Sequence, residues 1–128
     1  MLFPDYRPRR LRHSEALRRM IRETSLSVND LILPLFAIGG RDTRNPISSM
    51  PGHFQLSVDN LLKTAKEAYD LGIPAIVLFG VPDKKDSLGT QAYAQDGIVQ
   101  KANRAVKDKV PELVVITDVC LFQYTDHG

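Results

Sequence analysis

Apolar runs of strand length alternate with amphipathic stretches of helical length from residue 31 onward. Three runs, at residues 31–36, 74–80 and 113–118, are predicted to be strands, and the first two are continuously apolar. Such continuity is typical of parallel strands buried on both faces. Pro34 counts against a central position for the first strand, because proline cannot donate a hydrogen bond to a sheet ladder.

Two predicted helices separate these strands. The first begins at Ser57 and ends at Gly72, and the second spans the apolar positions between Ile98 and Val106. On the first, one face carries Val58, Leu61, Leu62, Ala65, Ala68 and Tyr69. Strands that alternate with helices predict βαβ units and a parallel sheet, hence an α/β fold. Residues 39–56 and 81–94 are predicted to be loops.

The amino-terminal segment has a different character. Residues 1–24 carry seven arginines against three acidic residues, although the whole chain has a net charge of only +2. We predict a basic arm at residues 1–24, followed by a body at residues 25–128. A short helix capped by Ser14 and ending at Thr24 and Ser25 would carry the apolar stripe Leu17, Met20 and Ile21. That stripe must cover a surface of the body or of another subunit.

The composition limits the class of protein. With 128 residues, 43% hydrophobic and 25% charged, the chain is long enough for one folded domain. No apolar stretch approaches the ~20 residues of a membrane helix, and the first residues have no secretory pattern, so a cytoplasmic protein is expected. The single cysteine, Cys120, agrees with a reducing compartment.

Reactive side chains are concentrated after the third predicted strand. Asp118, Cys120, Tyr124 and His127 follow one another within ten residues. Because α/β folds place their chemistry at the carboxyl ends of parallel strands, this segment is the candidate active site. Asp118 is the candidate catalytic group, with an aspartate that merely starts a turn as the alternative. We interpret His127 as a loop residue and Tyr124 as a packing residue.

Several segments, in order along the whole chain, resemble the porphobilinogen synthase family, also called 5-aminolevulinate dehydratase. They are residues 7–12 of the arm, residues 29–36 around the first strand, the loop at 85–90 with Ala92, and residues 118–121. The resemblance implies an amino-terminal portion of a (β/α)8 TIM barrel. Since a full barrel takes ~250 residues, this chain would hold the arm and about the first half, ending after the third main strand.

The family's function is then the expected one. The resemblance implies a lyase that condenses two 5-aminolevulinate molecules to porphobilinogen in heme biosynthesis, in a homo-octamer whose arms wrap neighbouring subunits. The arm contact would involve Arg7, Arg9, Arg10 and Arg12. The family's two Schiff-base lysines lie on later strands that this sequence lacks. Lys84 and Lys85 are the only local candidates, and a solvated loop is the favoured interpretation, so the chain alone is expected to be inactive.

The resemblance also assigns roles in the closing segment. Asp118 matches the family's active-site aspartate. Zinc-dependent members have cysteines at the positions of Cys120 and Phe122, whereas magnesium-type members use aspartates. Cys120 is therefore the one predicted metal ligand. Phe122 cannot bind a metal, which counts against a closed zinc site.

Two other classes of function remain open. One is a non-catalytic assembly or regulatory module derived from the same family. The other is a nucleic-acid-binding protein that uses the basic arm, although the arm's aromatic residues, Phe3 and Tyr6, are too few for a stacking platform.

Overall fold

Five strands form one sheet in the computed structural model, which describes residues 9–127. The strands are β1 (Ile32–Ile38), β2 (Arg44–Pro46), β3 (Phe54–Ser57), β4 (Ala75–Gly80) and β5 (Val114–Thr117). Their order in the sheet is β2-β3-β1-β4-β5. β1 pairs in parallel with β3 and β4, and β4 with β5, whereas β2 is antiparallel to β3. The three predicted strands are thus confirmed as β1, β4 and β5.

Four helices accompany the sheet in the described residues: α1 (Glu15–Met20), α2 (Val58–Asp70), α3 (Thr90–Tyr93) and α4 (Ile98–Lys109). The predicted helices are confirmed as α1, α2 and α4. The Oγ of Ser14 accepts a hydrogen bond from the backbone N–H of Leu17 at 3.2 Å, so Ser14 caps α1 as predicted. The predicted end at Thr24 and Ser25 is wrong, because α1 ends at Met20. Of the predicted arm contacts, Arg7 lies outside the described residues.

The prediction of a loop over residues 39–56 is wrong in part, because this segment contains β2 and most of β3. Their pairs run from Arg44 opposite Leu56 to Pro46 opposite Phe54. All of β2 is exposed, so it has no apolar alternation that the sequence could reveal. The predicted loop over 81–94 likewise contains α3, a helix of only four residues.

Pro34 lies in the strand at the middle of the sheet, contrary to the expectation. It stands opposite Val77 of β4. On its other side, β3 pairs only with the segment from Phe36 to Ile38, so within the described chain β1 has no strand partner there at Pro34. The missing N–H donor is tolerated because the ladder on that side begins two residues later.

One face of the sheet packs against α2 and α4. Alternate residues of β1 and β4 supply its buried side chains, and both helices present their apolar stripes to it. The core formed there consists of Leu35, Ala37, Leu56, Leu61, Ala65, Ile76, Leu78, Val99, Ala102, Val106, Val110 and Leu113. Burial of this face provides the main stabilisation of the fold.

The opposite face, which we call the open face, is apolar but uncovered in the part of the chain that the structure describes. Ile32 and Val114 are 52% and 53% exposed. Phe36 and Phe79 stack on this face with their ring centroids 5.4 Å apart. An apolar sheet face of this kind marks a surface that packs against something further.

A polar network joins the residues just before β2 to the start of α2. The buried Ser57 Oγ accepts a hydrogen bond from the Thr43 N–H at 2.9 Å and donates one to Asp59 Oδ1 at 2.6 Å. Asp59 Oδ2 accepts a further bond from the Asp42 N–H at 2.9 Å. The hydrogen bond from Ser57, followed by the backbone bonds, lowers the pKa of Asp59 below its ordinary value of 3.8.

Replacing Ser57 with alanine will lower the free energy of unfolding by about 1–3 kcal/mol, since it leaves the Thr43 N–H without its buried acceptor. Urea denaturation measures this loss, and the exposed Ser48 provides the control. The contribution of Asp59 has a defined pH dependence. Because the pKa of Asp59 is lowered in the folded state, its contribution to the free energy of unfolding is complete above pH 3.8, the ordinary pKa. That contribution is lost as the pH falls from 3.8 through the lowered pKa. A Ser57→Ala protein as stable as the Ser48→Ala control would contradict the prediction.

Candidate active site

Two loops meet at the carboxyl ends of the parallel strands. Residues 81–97 follow β4, and residues 118–127, the closing segment, follow β5. The Asp86 N–H donates a hydrogen bond to the Tyr124 carbonyl oxygen at 3.4 Å. The His127 Nε2 lies 3.4 Å from the Ser87 carbonyl oxygen. The closing segment therefore lies directly against the loop that follows β4.

Asp118 stands at the carboxyl end of β5, as the sequence predicts. Its N–H donates to the Leu78 carbonyl oxygen at 3.4 Å, so the ladder with β4 continues one residue past the strand. Thr117 is opposite Leu78, and continuing this register places Asp118 beside Phe79. The carboxylate is exposed, and its oxygens accept no hydrogen bond from residues 9–127. It is available to a ligand at this edge.

Asp118 and Cys120 are brought together in one cavity of about 290 Å³ between the end of β5 and α4. Its lining consists of Ala92, Val99, Gln100, Asn103, Thr117, Asp118, Val119, Cys120, Leu121 and Tyr124. His127 is not part of this lining, in agreement with its interpretation as a loop residue. Asn103 and Gln100 add polar groups that the sequence did not indicate, because both lie on a helix whose apolar stripe dominates the pattern.

The metal prediction depends on Cys120, which is a free and half-buried thiol. Phe122 is 64% exposed and carries no donor. Among residues 9–127, no three histidine, cysteine or acidic side chains lie close enough to hold a metal ion. The described residues therefore do not by themselves fit zinc or magnesium, and Cys120 as a ligand stays a prediction.

Tyr124 is the residue whose importance the sequence did not show. It is only 5% exposed, and its hydroxyl lies against the Cα of Gly80 at the end of β4. Burial raises the pKa of its phenol above the ordinary 10.0, although Gln123 has an opposing effect, and the nearby Asp118 and Cys120 add to the rise. The sequence shows that Gly80 ends an apolar strand, but it does not show which side chain fills the space beside that glycine.

Lys84 and Lys85 are both exposed in the loop after β4. Lys85 also lines a second cavity, of about 310 Å³, together with Phe36 and Phe79 of the open face. The neighbouring Asp86 has a structural role, because its Oδ1 accepts hydrogen bonds from the Leu88 and Thr90 N–H groups at 3.0 Å. The bonds from Thr90 are the main cause of the lowered pKa of Asp86.

Comparison with known proteins identifies the family. The model of the delta-aminolevulinic acid dehydratase family matches residues 5–128. The chain belongs to this family. Two relatives of that name, from Synechocystis sp. and Synechococcus elongatus, are 58% and 57% identical over 127 residues. Each alignment covers 99% of this chain but 39% of the relative, so the chain spans about two fifths of the curated relatives it matches.

A solved structure supports the same conclusion. Delta-aminolevulinic acid dehydratase (porphobilinogen synthase) from Toxoplasma gondii, in complex with the reaction product porphobilinogen, superimposes with a TM-score of 0.85. The sequences are 36% identical, and the match covers 94% of this chain and 35% of that one. The predicted resemblance is confirmed, and so is the predicted fold class, an α/β portion of a TIM barrel. The roles of Asp118 and Cys120 stay predictions.

Proposed function

We propose that this chain forms the amino-terminal part of a porphobilinogen synthase, a lyase that condenses two 5-aminolevulinate molecules to porphobilinogen in heme biosynthesis. The observation that carries the proposal is the similarity along nearly the whole chain to enzymes of that name. Its fold also matches that of the Toxoplasma gondii enzyme bound to porphobilinogen. Because these relatives are named as enzymes, the comparisons favour an enzyme part over a regulatory module.

Asp118 is the residue that this proposal places in the chemistry. Its exposed carboxylate stands at the carboxyl end of β5, at the register position beside Phe79. A carboxylate there can orient the amino group of 5-aminolevulinate or accept a proton from it. Asn103 and Gln100 line the same cavity and provide amide groups for a polar ligand.

The chain by itself is proposed to be inactive. Schiff-base chemistry needs a lysine whose pKa is depressed by burial or by a neighbouring cation. Lys84 and Lys85 are both exposed, in a loop that also contains Asp83 and Asp86. The open face supports the same proposal. Ile32, Val114 and Ile116 present apolar surface to solvent there, and such a surface is expected to be covered by another part of the enzyme.

Reconstitution tests the proposed function. The chain is mixed with a separately produced carboxyl-terminal portion of the Synechocystis relative, and porphobilinogen formation from 5-aminolevulinate is measured. We expect product from the mixture and none from either part alone. Co-elution of the two parts in gel filtration serves as the assembly control. Parts that co-elute without forming product would refute the enzyme proposal.

For the metal, we propose that Cys120 contributes one thiolate ligand to a site whose other ligands are not among the described residues. The half-buried thiol beside Asp118 supports this role. Cobalt(II) titration of the chain assembled with the carboxyl-terminal portion provides a test without any activity measurement, since a thiolate–cobalt bond gives a charge-transfer band. Phe122→Cys should strengthen the band and Cys120→Ser should remove it. A band that persists in Cys120→Ser would exclude the assignment.

We also propose a homo-oligomer held through the arm, by way of Arg7, Arg9, Arg10 and Arg12. Support comes from the exposed apolar residues that follow them, above all Met20, which is 81% exposed on α1. A solvent-exposed apolar helix face of this kind is typical of a surface that binds another protein. In the reconstituted enzyme, Met20→Glu should shift the sedimentation coefficient to that of a smaller assembly, whereas Lys66→Glu on α2 should not. Unchanged sedimentation of Met20→Glu would contradict the proposed contact.

The location follows from the same proposal. No helix within residues 9–127 is long and apolar enough to cross a membrane. We propose a cytoplasmic location, supported by the single cysteine, and fractionation of the source cells with an antibody against the chain tests it.

A further inference from the structure

One side chain of the closing segment is buried against the body. Across residues 118–127, Tyr124 alone is buried, at 5% exposure. Val119 is 93% exposed and Phe122 64% exposed. The position of the segment therefore depends most on where the phenol ring of Tyr124 sits, because the other side chains are only half-buried or exposed.

The socket for this ring is made by a glycine. A Cβ atom built on Gly80 would collide with the Tyr124 hydroxyl and would lie 2.6 Å from Val99 Cγ2. Real Cβ atoms do not approach other atoms that closely. The end of β4 thus has room for the phenol only because residue 80 is glycine, and α4 closes the socket through Val99.

The backbone of Tyr124 makes two further connections. Its N–H donates to the Leu121 carbonyl oxygen at 2.9 Å, which folds the segment into a turn. Its carbonyl oxygen accepts from the Asp86 N–H at 3.4 Å, and the Asp86 carboxylate in turn holds the Leu88 and Thr90 N–H groups. One residue therefore joins the end of β4, the loop after β4 and the closing segment.

We propose that Tyr124 is a positioning residue, which holds Asp118 and Cys120 in their places at the carboxyl edge of the sheet. Tyr124 lines the same cavity as Asp118 and Cys120. This inference rests on the proposed function for its catalytic consequence. Displacing a reacting group by about 1 Å can lower a rate on the order of a hundredfold, so a fixed anchor four to six residues away matters for turnover.

The single cysteine gives a direct measurement in the 128-residue chain, because Cys120 is its only thiol. We expect Tyr124→Leu to raise the rate of Cys120 reaction with a thiol reagent about tenfold, which corresponds to about 1.4 kcal/mol of lost local stability. Tyr93→Leu, at an exposed tyrosine of the same loop region, should leave the rate unchanged. A folded Tyr124→Leu protein that reacts at the wild-type rate would overturn the proposal.

A second pair of variants keeps the test valid if Tyr124→Leu fails to fold. Gly80→Ala should displace the ring and raise the Cys120 rate as well. Combining Gly80→Ala with Tyr124→Phe removes the hydroxyl that meets the new Cβ and should bring the rate part of the way back. Recovery is partial because the new Cβ still meets Val99 Cγ2 at 2.6 Å and Ile98 Cγ2 at 3.1 Å. No effect of Gly80→Ala, or no recovery in the double variant, would count against the anchor.

Kinetics of the reconstituted enzyme separate positioning from simple stability. Tyr124→Leu should lower kcat on the order of a hundredfold while KM changes less than about threefold, with the amount of assembled enzyme held equal by gel filtration. A loss explained entirely by less assembled enzyme would refute a positioning role. If wild-type parts assemble and form no product, the proposed function fails, but the Cys120 measurements still decide whether Tyr124 anchors the segment.

Discussion

Replacing Asp118 with asparagine is expected to lower kcat of the reconstituted enzyme on the order of 10²- to 10⁴-fold, the usual contribution of a general acid or base. Asparagine keeps the shape of the side chain but can neither carry the negative charge nor exchange a proton. Because the carboxylate is exposed and accepts no hydrogen bond from the described residues, the fold should not suffer. The measurement is the rate of porphobilinogen formation at saturating 5-aminolevulinate.

The matched control is Asp126→Asn, eight residues further along the same segment. Asp126 is also exposed, and it is not part of the cavity that contains Asp118. Its replacement should leave kcat within about twofold, and both variants should unfold at the same urea concentration as the wild-type chain. Equal activities of the two variants would show that Asp118 takes no part in the chemistry.

The elements with strong periodicity were predictable from sequence. The stripe containing Leu61, Ala65 and Ala68 gives α2, and all three residues are buried as expected. The second buried strand, β4, follows from the continuous apolar run ending at Gly80. In both elements the local pattern and the tertiary packing require the same residues, so the sequence is sufficient.

The elements that depend on pairing with distant residues were not predictable. β2 is exposed throughout and exists through its ladder with β3, from Arg44 opposite Leu56 onward. Pro34 can occupy the middle strand because β3 begins its pairing only at Phe36. The residues around β2 and Pro34 do not indicate either feature, since each depends on which residues of another strand take part in the pairing.

The residues of the candidate site likewise differ in how far the sequence predicted them. Asp118 and Cys120 could be predicted because they directly follow a strand, and the structure places both at one cavity. Packing of Tyr124 was predicted, but the place where it packs was not, because its burial depends on a space at Gly80, 44 positions earlier in the chain. Sequence patterns show which side chains are apolar, but they do not show which glycine leaves room for a ring.

Replacing Leu78 with alanine is the change with the largest expected effect on stability. Leu78 is fully buried in β4, between Leu35 of β1 and Thr117 of β5, on the face that α2 and α4 cover. Truncation of a buried leucine costs about 2–5 kcal/mol, from lost burial and from the cavity left behind. Small domains are stable by only about 5–15 kcal/mol, so urea denaturation should show a large fall in the midpoint.

Val77 is the matched control, because it precedes Leu78 on the same strand and points to the open face. It is half-buried, so Val77→Ala should cost about 1 kcal/mol or less in the chain alone. In the reconstituted enzyme the open face is proposed to be covered, and the cost of Val77→Ala should then rise while that of Leu78→Ala stays the same. A Val77→Ala cost that does not change on reconstitution would mean that the added part does not cover the open face, which would refute the proposed cover.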